Sequence, residues 1–129
     1  NNLITNNDLI VQGDFSYASG LVSTERLLSL TKKPSAIFAS NDEMAAGALA
    51  AAYKKGLRVP DSLSIVGFDD SPIAMAVYPQ LTTVRQSLSD MIEKAVEILA
   101  KPQTDNKNKI VILDHALVLR DSTGPALDT

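Results

Sequence analysis

The chain has 129 residues, an apolar fraction of 45% and a formal net charge of −3, with its Lys and Arg scattered, which suits one globular domain and excludes a basic phosphate-backbone surface. It holds no cysteine, so a disulfide framework and a thiolate metal site are excluded, and a reducing compartment fits. No apolar run reaches the roughly 20 residues of a bilayer span, the first residues lack the basic region of a secretory leader, and a start without methionine is expected of a piece of a longer polypeptide.

In chain order, Leu9 to Gln12 is a short apolar run closed by Gly13-Asp14 and is predicted as a strand, and Tyr17 to Leu30 as a helix. Pro34-Ser35 punctuates the chain before Ala36 to Ala39, a second buried strand. Ser40-Asn41-Asp42-Glu43 then opens a helix that runs to Lys55 and stops at Gly56. Leu63 to Phe68 is the third strand, Leu81 to Val84 is β-branched and extended, and Ser87 to Ala100 is helical, ended by Pro102. Gln103 to Lys109 is a polar loop, Ile110 to Leu119 a last extended segment, and Gly124-Pro125 belongs to a tail. Strands separated by helices and apolar throughout predict an open parallel α/β sheet with helices on both faces.

In such sheets ligands bind outside the carboxyl ends of the strands. Three ends carry polar groups: Gly13-Asp14-Phe15, Ser40-Asn41-Asp42 and Asp69-Asp70. Each has a structural reading beside a functional one. Ser40 to Glu43 matches a capping box, and Ser71-Pro72 matches an N-cap with proline at the first helical position, leaving Asp70 as a first-turn anion. Asp69, next to an apolar strand, needs a partner, and Phe15 either plugs the sheet edge or offers a flat apolar face.

Enzyme readings find less support. The single histidine, His115, is far along the chain from any glycine-flanked serine, and neither a G-x-S-x-G elbow nor a phosphate-cradling glycine loop is present. Asp42, Asp69 and Asp70 are oxygen donors of the kind Mg²⁺ takes, but no general base accompanies them.

The run "PSAIFASNDEMAAGALAAAYKKGLRVPDSLSIVGFDDSPIAMAVYPQLTTVRQ", residues 34 to 86, resembles the C-terminal half of the effector-binding core of LacI/GalR-family transcriptional regulators. The resemblance extends upstream to Gly13-Asp14-Phe15 and downstream to Leu117 to Thr123. It implies a periplasmic-binding-protein-like, flavodoxin-like subdomain, not an enzyme and without cofactor or metal. Residues 8–80 would form mostly the C-terminal subdomain, 81–110 a crossover that packs on the N-terminal subdomain, and 111–129 a return strand and tail. Carried over position by position, it implies effector contacts at Asn41, Asp69, Gln86 and Phe15. The implied partners are a sugar or nucleoside-like effector, a second copy of the chain, and operator DNA through a headpiece absent from this chain; no membrane is involved, and the implied location is the cytoplasm. A periplasmic sugar-binding protein of a transporter is the alternative, and Val59-Pro60-Asp61 with Pro79 to Thr83 favours the regulator. The family's strand-helix unit just upstream, which carries an effector-binding Arg, has no counterpart here, so exposed strand edges are expected, with either strand exchange between chains or a larger protein of which this is one piece.

Met44 to Tyr53 carries no charge on any side. If Ala45, Ala48, Leu49 and Ala52 cover the sheet, Ala46, Ala50 and Tyr53 need a second cover. As in the family, they are expected, with Ile73 to Tyr78 (Ile73 and Tyr78 included), at a homodimer interface.

Overall fold

The computed structural model describes residues 6–100 and 110–126. A 3-10 turn at Asn7–Leu9 is followed by α1 (Tyr17–Leu27), β1 (Ala36–Phe38), α2 (Asp42–Lys54), β2 (Ser64–Phe68), a one-turn helix α3 (Ile73–Ala76), β3 (Thr82–Gln86), α4 (Leu88–Ala100) and β4 (His115–Val118). The four strands form one sheet in the order β1-β2-β3-β4. The first two pairings are parallel, and β4 runs antiparallel to β3 with Val84 opposite Leu117 and Gln86 opposite His115. The open sheet is therefore mixed. Apolar runs reveal strands but not their direction, which the return of the chain through Ile110 to Leu119 sets.

The sequence of α2 explains its boundaries. Asn41 caps it, Asp42 and Glu43 complement the positive end of its dipole and Lys54 the negative end. Gly56 (φ +69) ends it: its N–H reaches the Tyr53 carbonyl and the Leu57 N–H reaches the Ala52 carbonyl, the paired bonds that satisfy a helix's last acceptors. One face of α2 lies on the sheet, with Ala45, Leu49 and Ala52 joining Ile37, Leu63, Ile65 and Leu81 in the core. A second face meets α1 almost backbone to backbone. A Cβ at Gly47 would collide with the Tyr17 carbonyl oxygen, and one at Gly20 with the Met44 backbone.

Several expectations change here. The strand predicted over Leu9 to Gln12 is absent: Ile10 donates back to Asn7, and Leu9, Ile10 and Val11 instead line a cleft against Ile37, Phe38 and Ala39 of the β1 region. A strand needs a neighbouring backbone within hydrogen-bonding reach, and the cleft separates this segment from β1, whose described strand pairing is with β2. Cover on both faces is also not seen there among the described residues. Helices α1 and α2 lie on the face of Ile37, Ile65 and Gly67, whereas Phe38, on the opposite face, stays 63% exposed and packs edge-on against Phe68 at 6.4 Å. Phe68 itself is half-buried rather than buried. Ala46 is 2% exposed within the single chain, so it needs no partner's cover; α3 packs beside α2 and joins it in enclosing that flank. The polar loop Gln103 to Lys109 lies outside the described residues.

Candidate functional site

The parallel strands bring their carboxyl ends to one edge, where Asn41, Asp69 and Gln86 follow or close β1, β2 and β3. Phe15 enters the same edge just before α1, 63% exposed and with its backbone left-handed (φ 67). Asn41 ties these parts together. Its Oδ1 accepts from the Met44 N–H at 2.8 Å, and its Nδ2 donates to the Phe15 carbonyl at 2.9 Å. The helix cap is thus Asn41, one residue later than the Ser40-to-Glu43 box predicted, because the longer amide side chain reaches the third helical N–H while also holding the Phe15 loop.

Asp69 and Asp70 both have positive φ, 102 and 54. For residues with a Cβ the left-handed region costs about 1–2 kcal/mol each, so neighbouring contacts must hold them there. Those contacts come from three other segments: β3, the start of α2 and the return of the chain after β4. The Asp69 N–H donates to the Val84 carbonyl at 2.9 Å, which ends the β2–β3 pairing. Asp42, fully buried, accepts from Thr83 Oγ1 at 2.6 Å on one carboxylate oxygen and from the Ser71 N–H at 2.7 Å on the other. Asp70 accepts from Arg120 Nη2 at 2.5 Å and Arg85 Nε at 2.6 Å. Burial would raise the Asp70 pKa, but the hydrogen bonds from Arg120 and then Arg85 outweigh it and hold the carboxyl below its ordinary value.

The result is a turn that sends Asp69 outward. Its side chain is exposed, and Gln86 Nε2 donates to its Oδ1 at 2.8 Å. The partner predicted for Asp69 is therefore Gln86, and the reason is placement at the exposed strand end rather than burial. Ser71 is not a helix cap: α3 begins after Pro72 with no side-chain cap, and the Ser71 N–H serves Asp42 instead. Likewise Asp70 does not act as a first-turn anion but pairs with two arginines.

The resemblance placed Asn41, Asp69, Gln86 and Phe15 at one site without pairing them; the hydrogen bonds from Asn41 to Phe15 and from Gln86 to Asp69 are findings of the structure. Sequence reasoning missed Asp42 as the buried brace of the turn and Arg120 as a partner of Asp70. Asp42 could have been suspected from the paired hydroxyls Thr82 and Thr83 at the start of β3, which need partners once that strand is buried, but nothing local points to Arg120. Among the described residues there is no cluster of three or more His, Cys, Asp or Glu that could hold a metal ion, and no helix long and apolar enough to cross a membrane.

Residues 2–123 match the periplasmic binding protein-like domain family. The HTH-type transcriptional regulator MalR of Clostridium butyricum is 42% identical over 123 residues, 95% of this chain and 37% of the relative. Catabolite control protein A of Priestia megaterium is 41% identical over 116 residues, 88% of this chain and 35% of the relative. Among solved structures, the transcription regulator CcpA of Lactococcus lactis superposes with a TM-score of 0.85 at 34% identity, over 95% of this chain and 45% of that one. A complex of the transcriptional regulator CelR with cellobiose gives 0.83 at 31% identity, over 93% and 37%. The chain spans little more than a third of the length of the curated relatives it matches.

Proposed function

Because the chain belongs to the periplasmic binding protein-like domain family, in the form found in LacI-type transcriptional regulators, we propose that it is the effector-binding and dimerisation part of such a regulator. The effector in this reading is a small sugar or related metabolite. The observation that carries it is Asp69: a carboxylate held outward by a braced left-handed turn, with one oxygen oriented by Gln86, at the strand edge where Asn41 and Phe15 also stand. An ionised carboxylate accepts from neighbouring hydroxyls and an aromatic ring covers the apolar face of a sugar, which is the chemistry that hydroxyl-rich ligands require. In this division of labour Asp69 and Phe15 face the ligand. Gln86 orients Asp69, and Asn41 shares its amide between the helix cap and the Phe15 carbonyl.

The transporter alternative is disfavoured by the relatives, which are transcriptional regulators and repressors. Regulation implies the cytoplasm, and operator DNA is reached through a headpiece outside this chain; no catalytic role is assigned. Of residues 81–110, expected to cross to a second subdomain, Leu81 and β3 belong to this sheet, so in this reading the crossing starts with α4, supported by its exposed apolar stripe, Leu88, Met91, Ile92, Val96 and Leu99. The homodimer surface comprises half-buried Ala50 and Ile73 with Tyr53 and Tyr78, which are 85% and 93% exposed. Sedimentation of the full-length protein checks it, and a monomer at micromolar concentration would remove this part of the reading.

The test of the site is Asp69→Asn in the full-length regulator, which keeps size but replaces a charged acceptor. A charge-assisted hydrogen bond contributes about 1.5–3 kcal/mol, so affinity for a bound sugar should fall roughly ten- to a hundredfold per bond, measured by calorimetry. Melting temperature should stay near that of the parent. Unchanged affinity with a lowered melting temperature would show that Asp69 is a turn residue only.

A further inference from the structure

Arg120 lies on the strand-like return of the chain just beyond β4, fifty positions from Asp70, and it is unusual in being both charged and 11% exposed at its side chain. Its backbone is fixed first. The Arg120 N–H donates to Thr82 Oγ1 at 3.0 Å, and Thr82 is itself buried and hydrogen-bonded to Thr123 at 2.8 Å. From that anchor the two arms of the guanidinium diverge. Nη1 donates to the Leu81 carbonyl, at the entry to β3, at 2.8 Å, and Nη2 donates to Asp70 Oδ1 at 2.5 Å. One planar group therefore joins the start of β3 to the turn at the end of β2, a two-pronged fit that an ammonium cannot copy.

Arg85 binds the other oxygen of Asp70, but its side chain is 58% exposed and water competes with it. Arg120 is the desolvated partner, and its guanidinium also holds the Leu81 carbonyl. Asp70 shares its peptide unit with Asp69, and both occupy positive φ. Together with the Asp69 N–H on Val84, the Asp70 N–H on Thr83 Oγ1 and the Ser71 N–H on Asp42, the hold on the Asp70 carboxylate therefore bears on the direction in which Asp69 leaves the strand.

We infer that Arg120, acting through Asp70, is a positioning residue for ligand binding: it locks the left-handed turn so that Asp69 meets Gln86 and presents its remaining acceptor sites to the ligand. This rests on the proposal that Asp69 accepts ligand hydroxyls, and it adds a residue from the C-terminal return to the site. Arg120 touches no ligand in this arrangement. A purely structural salt bridge would instead stabilise the fold and leave Asp69 where it is.

The experiment uses the full-length protein as Arg120→Met, which keeps the aliphatic stem, and as Arg120→Lys, which keeps the charge but loses the fork. Asp69→Asn is the reference. Three quantities are measured: affinity for D-ribose, D-glucose and cellobiose by calorimetry, the ¹⁵N-detected resonances of the Gln86 side-chain amide without ligand, and melting temperature. Expected is a loss of tenfold or more in affinity for whichever sugar the parent binds, together with displacement of the Gln86 amide resonances away from the parent position toward those of Asp69→Asn, well below the melting transition. Arg120→Lys should recover part of both, and it replaces Arg120→Met if that variant does not fold. Parental Gln86 resonances in a folded variant with a lowered melting temperature would overturn the inference, whether or not any of the three sugars binds. If Asp69→Asn leaves affinity unchanged, the ligand site is wrong, while the Gln86 resonances still decide whether Arg120 positions Asp69.

Discussion

Helices α2 and α4 are each 13 residues long, yet α2 has nine buried residues and α4 has none. The contrast runs against a simple reading of amphipathicity. The stripe of α4 is the cleaner one, with Leu88, Met91, Ile92, Val96 and Leu99 set against Asp90, Glu93, Lys94 and Glu97. By contrast, α2 carries no charge from Met44 to Tyr53 and has no single apolar side. A helix without a polar face is one enclosed from several directions, here by the sheet, α1 and α3. A sharp stripe records one cover, and it does not say where in the polypeptide that cover lies. The lesson is that pattern reports the need for burial, while contact decides whether this chain meets it.

The comparison breaks most severely where α2 touches α1. Gly47→Val would drive a branched side chain into the Tyr17 carbonyl, and since neither backbone can retreat without opening the core, about 3 kcal/mol of stability should be lost. Urea unfolding of the 129-residue chain measures it, and a loss under about 0.5 kcal/mol, the ordinary range for surface changes, would mean that the helices are not in close contact.

A middle-sized effect belongs to the cap. Asn41→Ala removes the acceptor of the Met44 N–H and the donor to the Phe15 carbonyl, and should cost about 1 kcal/mol in the same assay. Were stability unchanged while sugar affinity fell in the full-length protein, Asn41 would be a ligand contact and not the clamp described above.

The smallest effect is expected on α4. Ile92→Ser lies on its exposed stripe and should change the stability of this chain by no more than about 0.5 kcal/mol. The same substitution in the full-length protein should cost more, about 2 kcal/mol, if a second subdomain covers the stripe. Equal costs in the two settings would leave α4 uncovered in both and remove the crossover from the proposed architecture.

Most of the repeating structure was legible in the residues. Ala36 to Phe38 and Ser64 to Phe68 are short apolar runs bounded by turn formers, and Asn41 to Gly56 carries cap, dipole complement and stop in order, so each element follows from interactions within a few residues. The errors share one cause. Leu9 to Gln12 has the composition of a strand, but a strand exists only through a partner, and the segment borders a cleft instead. Ser40 and Asn41 are both good caps, and the choice fell to Asn41 because its amide also reaches Phe15, twenty-six positions away. Ala46 looked in need of outside cover because a linear pattern cannot show that α3 folds back beside α2.

By itself, then, the sequence determined most of the segments that become helix or strand, Leu9 to Gln12 excepted, and which polar groups stand at the strand ends, since capping, periodicity and turn chemistry act over one or two turns of chain. Only the tertiary structure decided which of those groups meet. Asp42 with Thr83, Asp69 with Gln86 and Asp70 with Arg120 are separated by 41, 17 and 50 positions. Their hydrogen bonds form only after the sheet has closed those loops, because the entropy of bringing distant segments together must first be offset by burial of the core they share.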